Sequence, residues 1–227
     1  MYMSAIVLSS GGKDSILSLH LASESGINLT GIISVMPENV ESMLYHSHNV
    51  QFVSQIADSL GLKWHIVHAP SSSEEEVLID KLKTLKAKIL VIGGITSNYQ
   101  KKIFEKIARD SNMSIYSPLW GLSDEDVLSK ITEIGLTTVI IAVAAYGLDK
   151  TWLGKQLTKS NITLLLKKSK ICKFNATGEG GEYDTFVLDG PLFKKKLVID
   201  KYIEHWFGDR GNLEINDVVS YNKERIL

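Results

Sequence analysis

The chain has 227 residues, 44% of them apolar and 22% charged, with a formal net charge of −1. That length can bury a substantial core, the composition is that of a soluble protein, and no overall basic field draws it to nucleic acid. A single cysteine, Cys172, excludes an intramolecular disulfide, a CxxC metal site and a dithiol redox pair. No stretch approaches the roughly 20 apolar residues of a membrane span. The opening SAIVLSS lacks the cationic start, apolar length and cleavage site of a signal peptide, so a cytoplasmic protein is expected.

Short apolar runs at 4–9, 29–35, 64–68, 88–92, 114–116 and 137–143 fit buried parallel strands. Helical patterns fall between them. Residues 14–24 carry Ile16, Leu17, Leu19 and Ala22. Residues 49–60 carry Val53, Ile56 and Leu60 and stop at Gly61, a natural C-cap. Residues 71–85 open with serines and three glutamates, which suit a helix N-terminus. Residues 98–111 place Ile103, Ile107 and Ala108 on one face, and 123–135 end at Gly135. This alternation predicts an α/β fold, a doubly wound parallel sheet. The rhythm breaks near residue 145. A helical stretch follows, then a segment rich in glycine and β formers, so two regions are expected, 1–145 and a smaller α+β region, 146–227.

The stretch LSSGGKDS, residues 8–15, joins the first strand to the first helix, and ligands bind at that end of such sheets. Gly11 and Gly12 allow amides to approach an anion closely. Asp14 and Ser15 would start the helix, whose N–H groups favour negative charge. Ser10, Ser15 and Lys13 add donors. The same residues would also make an ordinary turn and helix cap. The loop lacks the spacing of GxxxxGK[ST], because Val7 stands where a glycine is needed and Asp14 follows Lys13.

Ser10-Gly11-Gly12-Lys13-Asp14-Ser15 resembles the SGGxDS loop of N-type ATP pyrophosphatases, which cleave ATP between its α and β phosphates. Further stretches narrow the resemblance: ESMLYHSHN (41–49), GGITSNYQK (93–101), SPLWG (117–121) and GEGGEYDTFVLDGPLF (178–193). Together they resemble the diphthine–ammonia ligase family in order and spacing, through Phe193. The family pattern usually has an acid where Asn98 stands and an arginine where Lys101 stands, and Glu is common where Asp184 stands. Lysine keeps the charge but loses bidentate geometry.

The resemblance implies a nucleotide-binding first region, like other adenine-nucleotide α-hydrolase folds, and a substrate-recognising second one. It implies ATP and Mg²⁺ as cofactors. Ser10, Gly11, Gly12, Lys13, Asp14 and Ser15 would hold pyrophosphate. Ser34, Val35 and Met36 would meet adenine through backbone groups, and Gly93, Gly94 and Ser97 would line the cleft. Asp14 would serve Mg²⁺, because a hard cation wants oxygen ligands. Tyr45, His46, Tyr99, Trp120, Glu179, Gly180, Gly181, Glu182, Tyr183 and Asp184 would face the protein substrate. Asp14, Lys13 and Glu182 form the expected catalytic set. Glu182 is read either as a partner for the trimethylammonium of diphthine or as a guide for ammonium.

The implied partners are translation elongation factor two carrying diphthine, and free ammonium. Glutamine is not the expected donor, because Tyr2 stands where an N-terminal glutaminase needs cysteine. No membrane and no stable nucleic-acid partner are expected, and a homodimer is compatible with the sequence. His46 and His48 alternate like metal ligands but have no third ligand at suitable spacing, so a solvated loop is expected. Lysines 167, 168, 170, 173 and 194–196 read either as solvated faces or as a contact for an acidic partner. Two other readings remain: a tRNA-modifying ATPase of the lysidine or thiolation type, and a nucleotide-binding sensor without catalysis.

Overall fold

The computed structural model describes residues 3–38, 49–70 and 73–223. The chain divides into two compact units, Met1–Trp120 and Gly121–Leu227.

The first unit runs β1 (Ser4–Leu8), α1 (Lys13–Glu24), β2 (Asn28–Pro37), a 3-10 turn (Val50–Phe52) leading into α2 (Val53–Leu60), β3 (Lys63–Ala69), α3 (Glu74–Thr84), β4 (Ile89–Val91), α4 (Asn98–Asp110) and β5 (Ser114–Tyr116). Its five strands are all parallel, in the order β3-β2-β1-β4-β5. The apolar runs are buried because a parallel sheet is covered on both faces. Ile6, Ile33, Val35, Val67, Leu90 and Ile92 pack in one core with Leu78 and Leu82 of α3 and Phe104 and Ile107 of α4. Full burial of each such side chain contributes about 1.5–3 kcal/mol. Right-handed crossovers leave α1 and α2 for the opposite face. Helix α2 stops where Gly61 takes a left-handed conformation, φ 71°. The doubly wound sheet expected from the sequence is therefore present, with five strands.

The second unit contains α5 (Asp124–Ile134), β6 (Thr137–Val143), a 3-10 turn (Lys150–Trp152), α6 (Lys159–Cys172), β7 (Tyr183–Asp189), β8 (Lys195–Trp206) and β9 (Gly211–Asn222). Its sheet has the order β7-β6-β9-β8, with every pairing antiparallel. Ser123 caps α5 by accepting the Asp126 N–H at 3.1 Å, and Gly135 ends it at φ 85°.

Two expectations are corrected here. The run 137–143 is not a sixth parallel strand: β6 pairs antiparallel with β7 and β9. The boundary then falls after Trp120 rather than at 145, and α5 and β6 belong to the second unit. The physical reason is burial. Strand β6 lies between two neighbours with Thr138, Val139, Ile140, Ile141 and Val143 all buried, so a covered antiparallel strand shows the same unbroken apolar run as a parallel one.

Candidate active site

Strand β1 runs beside both β2 and β4. Its connection to β2 and that of β4 to β5 leave in opposite directions, so the crevice at the carboxyl ends of β1 and β4 is the switch point of the sheet. Two helices start there, α1 at Lys13 and α4 at Asn98. Gly11 turns the loop at φ 86°. Gly12 is the N-cap residue of α1 and brings no side chain of its own to that end. A helix N-terminus of this kind directs amide N–H groups and a partial positive charge toward an anion. Lys13, only 3% exposed, holds its ammonium 2.8 Å from Asp14 Oδ2. Ser10 is half-buried and Ser15 buried.

The loop is held by Ser9 and Trp64, to which no sequence motif assigns a role, and by Ser34, which was expected at adenine. Ser9 Oγ accepts the Gly11 N–H at 2.9 Å and lies 2.7 Å from Ser15 Oγ. Ser34 Oγ donates to the Ser9 carbonyl at 2.7 Å, and the Trp64 indole N–H donates to Ser34 Oγ at 3.0 Å. The side chain of Ser34 therefore belongs to the loop's support rather than to a base. Its neighbour is placed differently. Ser9 N donates to the Ile33 carbonyl at 2.9 Å, so Ile33 turns its carbonyl toward β1. By strand alternation Val35 turns its N–H and C=O the same way, past Leu8, the last β1 residue in that pairing. Met36, one residue on, turns its backbone toward β3.

Gly93 and Gly94 occupy very different places. A Cβ on Gly93 would lie 2.7 Å from both the Asp14 carbonyl carbon and the Ser15 nitrogen, whereas one on Gly94 would meet nothing within 4 Å. Glycine at 93 is what lets β4 approach the start of α1. The Gly94 carbonyl accepts from Ser117 Oγ at 3.2 Å. Ser97 caps α4, its Oγ accepting the Gln100 N–H at 3.4 Å. Tyr99 is exposed on the first turn of α4. Lys101 Nζ sits 4.2 Å from the centroid of the Trp120 ring, a cation–π contact, so one face of Trp120 is taken by a lysine.

The acidic loop lies in the second unit and is largely occupied with itself. Glu182 Oε1 accepts the Asn175 N–H at 3.0 Å, and Oε2 accepts the Gly180 N–H at 2.8 Å. Asp124 Oδ2 accepts the Ala176 N–H at 3.0 Å, and Asn175 Oδ1 accepts the Thr177 N–H at 2.8 Å. Tyr183 is buried, with its hydroxyl donating to the Ala176 carbonyl at 2.8 Å. Gly178, at φ 76°, has no room for a Cβ against Tyr183. The expectation that Tyr183 offers a ring face is thus corrected: its ring is packing. Glu182 is the clasp of its own loop. Glu179 and Asp184 are half-buried, and Gly180 and Gly181 are exposed.

Tyr45, His46 and His48 lie outside the described residues. Among those described, no cluster of three or more His, Cys, Asp or Glu could hold a metal ion. The donor set still suits magnesium beside a nucleotide, because Mg²⁺ commonly takes one or two carboxylates and completes its shell from phosphates and water. Asp14 fits that role. Cys172 is half-buried at the end of α6, with Sγ packed against Gly147. Lys168 donates to the Gly147 carbonyl at 2.9 Å, and Lys194, Lys195 and Lys196 are exposed. No helix among the described residues is long and apolar enough to cross a membrane.

Fold and loop define a class: a doubly wound α/β protein with a glycine-bearing loop and two helix N-termini at its switch point, followed by an antiparallel α+β unit. The chain belongs to the diphthamide synthase family, matching its N-terminal domain over residues 3–115 and its C-terminal domain over residues 123–220. Those two matches divide where the two units do. Relatives named diphthine–ammonia ligase include one from Danio rerio, 32% identical over 223 residues with 87% of each chain covered. Another, from Bos taurus, is 30% identical and covers 87% of this chain and 83% of the relative. A solved U34-tRNA thiolase from Methanococcus maripaludis is 19% identical with a TM-score of 0.39, covering 57% of this chain and 55% of that one. At that level the likeness adds nothing to the fold described above.

Proposed function

We propose that this chain converts the carboxylate of diphthine on translation elongation factor two to an amide, using ATP and ammonia, with AMP and pyrophosphate as the other products. The observation that carries the reading is the close approach of Gly93 to the backbone of Asp14 and Ser15 at the start of α1, in a chain of the diphthamide synthase family. ATP is a consumed substrate here. A carboxylate is a poor acyl donor because its leaving group would be oxide. Its oxygen attacks the α-phosphorus, the bond to the β-phosphate breaks, and pyrophosphate departs with the electron pair. Ammonia then attacks the acyl carbon, loses a proton, and AMP leaves.

The residues divide this work. The N-terminus of α1 and the Lys13 ammonium stabilise the charge that collects on departing pyrophosphate. The Ser10 and Ser15 hydroxyls add donors, while Gly11 serves by its turn, since its own N–H is engaged with Ser9. Val35 presents backbone groups to adenine. Magnesium, when bound, neutralises phosphate charge, and Asp14 would hold it or its water. In the second unit, Glu179 and Asp184 supply carboxylates for a trimethylammonium or an incoming ammonium, and Glu182 fixes the loop that carries Glu179. The free-ammonia reading follows from the placement of Cys172, the only thiol, which lies in no loop described above. A cytoplasmic location accords with a substrate of the translation machinery. No observation favours the tRNA-modifying or sensor readings.

The test is direct. Elongation factor two bearing diphthine is incubated with the chain, ATP, Mg²⁺ and ammonium, and its mass is measured. Conversion of acid to amide that requires all four components supports the reading. Unchanged acceptor under conditions in which a curated relative converts it would defeat the proposal.

A further inference from the structure

Two hydrogen-bond chains meet at Ser9, and donor chemistry fixes the direction of every link but the one between two hydroxyls. The Trp64 indole can only donate, so Ser34 Oγ accepts from it at 3.0 Å. The Ser9 carbonyl can only accept, so Ser34 gives it its single proton at 2.7 Å. The Gly11 N–H can only donate, so Ser9 Oγ accepts at 2.9 Å. Ser15 Oγ gives its proton to the Gly12 carbonyl at 3.1 Å. In the 2.7 Å contact between the two hydroxyls either can donate, and the arrangement that gives both protons an acceptor has Ser9 donate to Ser15 and Ser15 to the Gly12 carbonyl. Ser9, Ser15 and Ser34 are 4%, 9% and 0% exposed, so each of these groups depends on its protein partners for satisfaction.

Four of the five links lie behind the loop. The fifth, Ser15 to the Gly12 carbonyl, is the longest. It is also the one that an anion at the start of α1 can replace, because a phosphate oxygen is a stronger acceptor than a neutral carbonyl. When the Ser15 proton turns to phosphate, the Ser9 hydroxyl still donates to Ser15 Oγ and keeps it aimed. We infer that Ser9 is a positioning residue for the phosphate-binding hydroxyl of Ser15, and that Ser34 and Trp64 hold Ser9 in place from β2 and β3. This rests on the reading of residues 10–15 as a pyrophosphate cradle, which it deepens: it assigns specific work to a serine outside the six-residue motif and to a tryptophan on the next strand but one.

The test is a double-mutant cycle read by calorimetric titration with pyrophosphate. Ser9→Ala and Ser15→Ala should each weaken binding about tenfold, the usual worth of one such bond. The double variant should be no weaker than Ser15→Ala alone, because Ser9 acts through Ser15. Ser34→Ala should weaken binding about threefold in the wild-type background and not at all in Ser15→Ala. If circular dichroism shows that Ser9→Ala does not fold, the Ser34→Ala comparison carries the same test. A merely structural serine would lower Tm and leave pyrophosphate affinity unchanged, or its loss would add in full to that of Ser15→Ala, and either result overturns the inference. A wild-type chain that binds neither pyrophosphate nor a non-hydrolysable ATP analogue would instead remove the proposed function, and the relay with it.

Discussion

The two glycine-rich loops of this chain differ in how many of their backbone amides side-chain oxygens take. In residues 9–15 Ser9 Oγ accepts one, that of Gly11, and the N-cap residue Gly12 brings no side chain to the start of α1. In residues 175–182 side-chain oxygens take the amides: Glu182 accepts two, Asp124 one and Asn175 one. On the proposed function the first loop takes an anion, whereas the second has four amides held by side-chain oxygens and is fixed by its own contacts.

Substitutions in each loop sharpen this contrast. The largest effect is expected for Asp14→Asn. Losing one charge-stabilising group in a closed phosphate site costs roughly 2–4 kcal/mol of transition-state stabilisation, so the rate of pyrophosphate release should fall by about two to three orders of magnitude. Thermal stability should fall as well, because Asp14 is the counter-charge of a buried ammonium. A saturating turnover rate equal to that of the wild type would remove Asp14 from the chemistry.

Gly93→Ala comes next. Its Cβ would press on the backbone of Asp14 and Ser15, and forced overpacking of this kind costs about 1–3 kcal/mol. Gly94→Ala, with open space around it, should stay within about 0.5 kcal/mol. Chemical denaturation of the pair, alongside ATP-analogue titration, measures both. Equal effects at the two positions would contradict the close approach of β4 to α1.

Glu182→Gln should lose about 1–2 kcal/mol of stability, since one of two charge-assisted bonds to backbone N–H must fail. Pyrophosphate affinity should stay within about twofold of the wild type, because this carboxylate clasps its own loop. A stable variant with collapsed nucleotide binding would place Glu182 in the nucleotide site instead.

The smallest effect concerns His65 on β3. Burial, then the charges of Lys81 and Lys63, lowers its pKa from the ordinary 6.5. The unfolded chain therefore takes up the proton first as pH falls. Stability is lost as pH drops from 6.5 through the lower folded value. His65→Gln should flatten the pH–stability curve just below the ordinary value of 6.5, and an unchanged slope would count against it.

Much of the first unit is legible in the sequence because local chemistry and long-range packing agree there. The helix at 53–60 ends at Gly61 as expected, as the helix at 124–134 of the second unit does at Gly135, and the glycine-bearing loop falls at the switch point. Legibility fails where one local pattern serves two folds. The run TTVIIAV reads as parallel strand, yet its neighbours are antiparallel, and nothing within seven residues can report which strand lies beside it. It fails again where function depends on what stands behind a motif. Ser9 adjoins the six-residue motif and Trp64 is far from it in sequence, so only the pairing of β3 with β2 and β2 with β1 brings them together. Tyr183 looked like an available aromatic face because a sequence does not show which way a strand residue turns.

On the proposed function, the first loop holds pyrophosphate so that AMP can activate a carboxylate. Phosphorus NMR of the complete reaction follows that step, with elongation factor two carrying diphthine, ammonium, Mg²⁺ and ATP together. AMP and pyrophosphate should rise in equal amounts with the amide, and neither should form when the acceptor is left out. ADP and inorganic phosphate rising in step with the amide would rule the mechanism out.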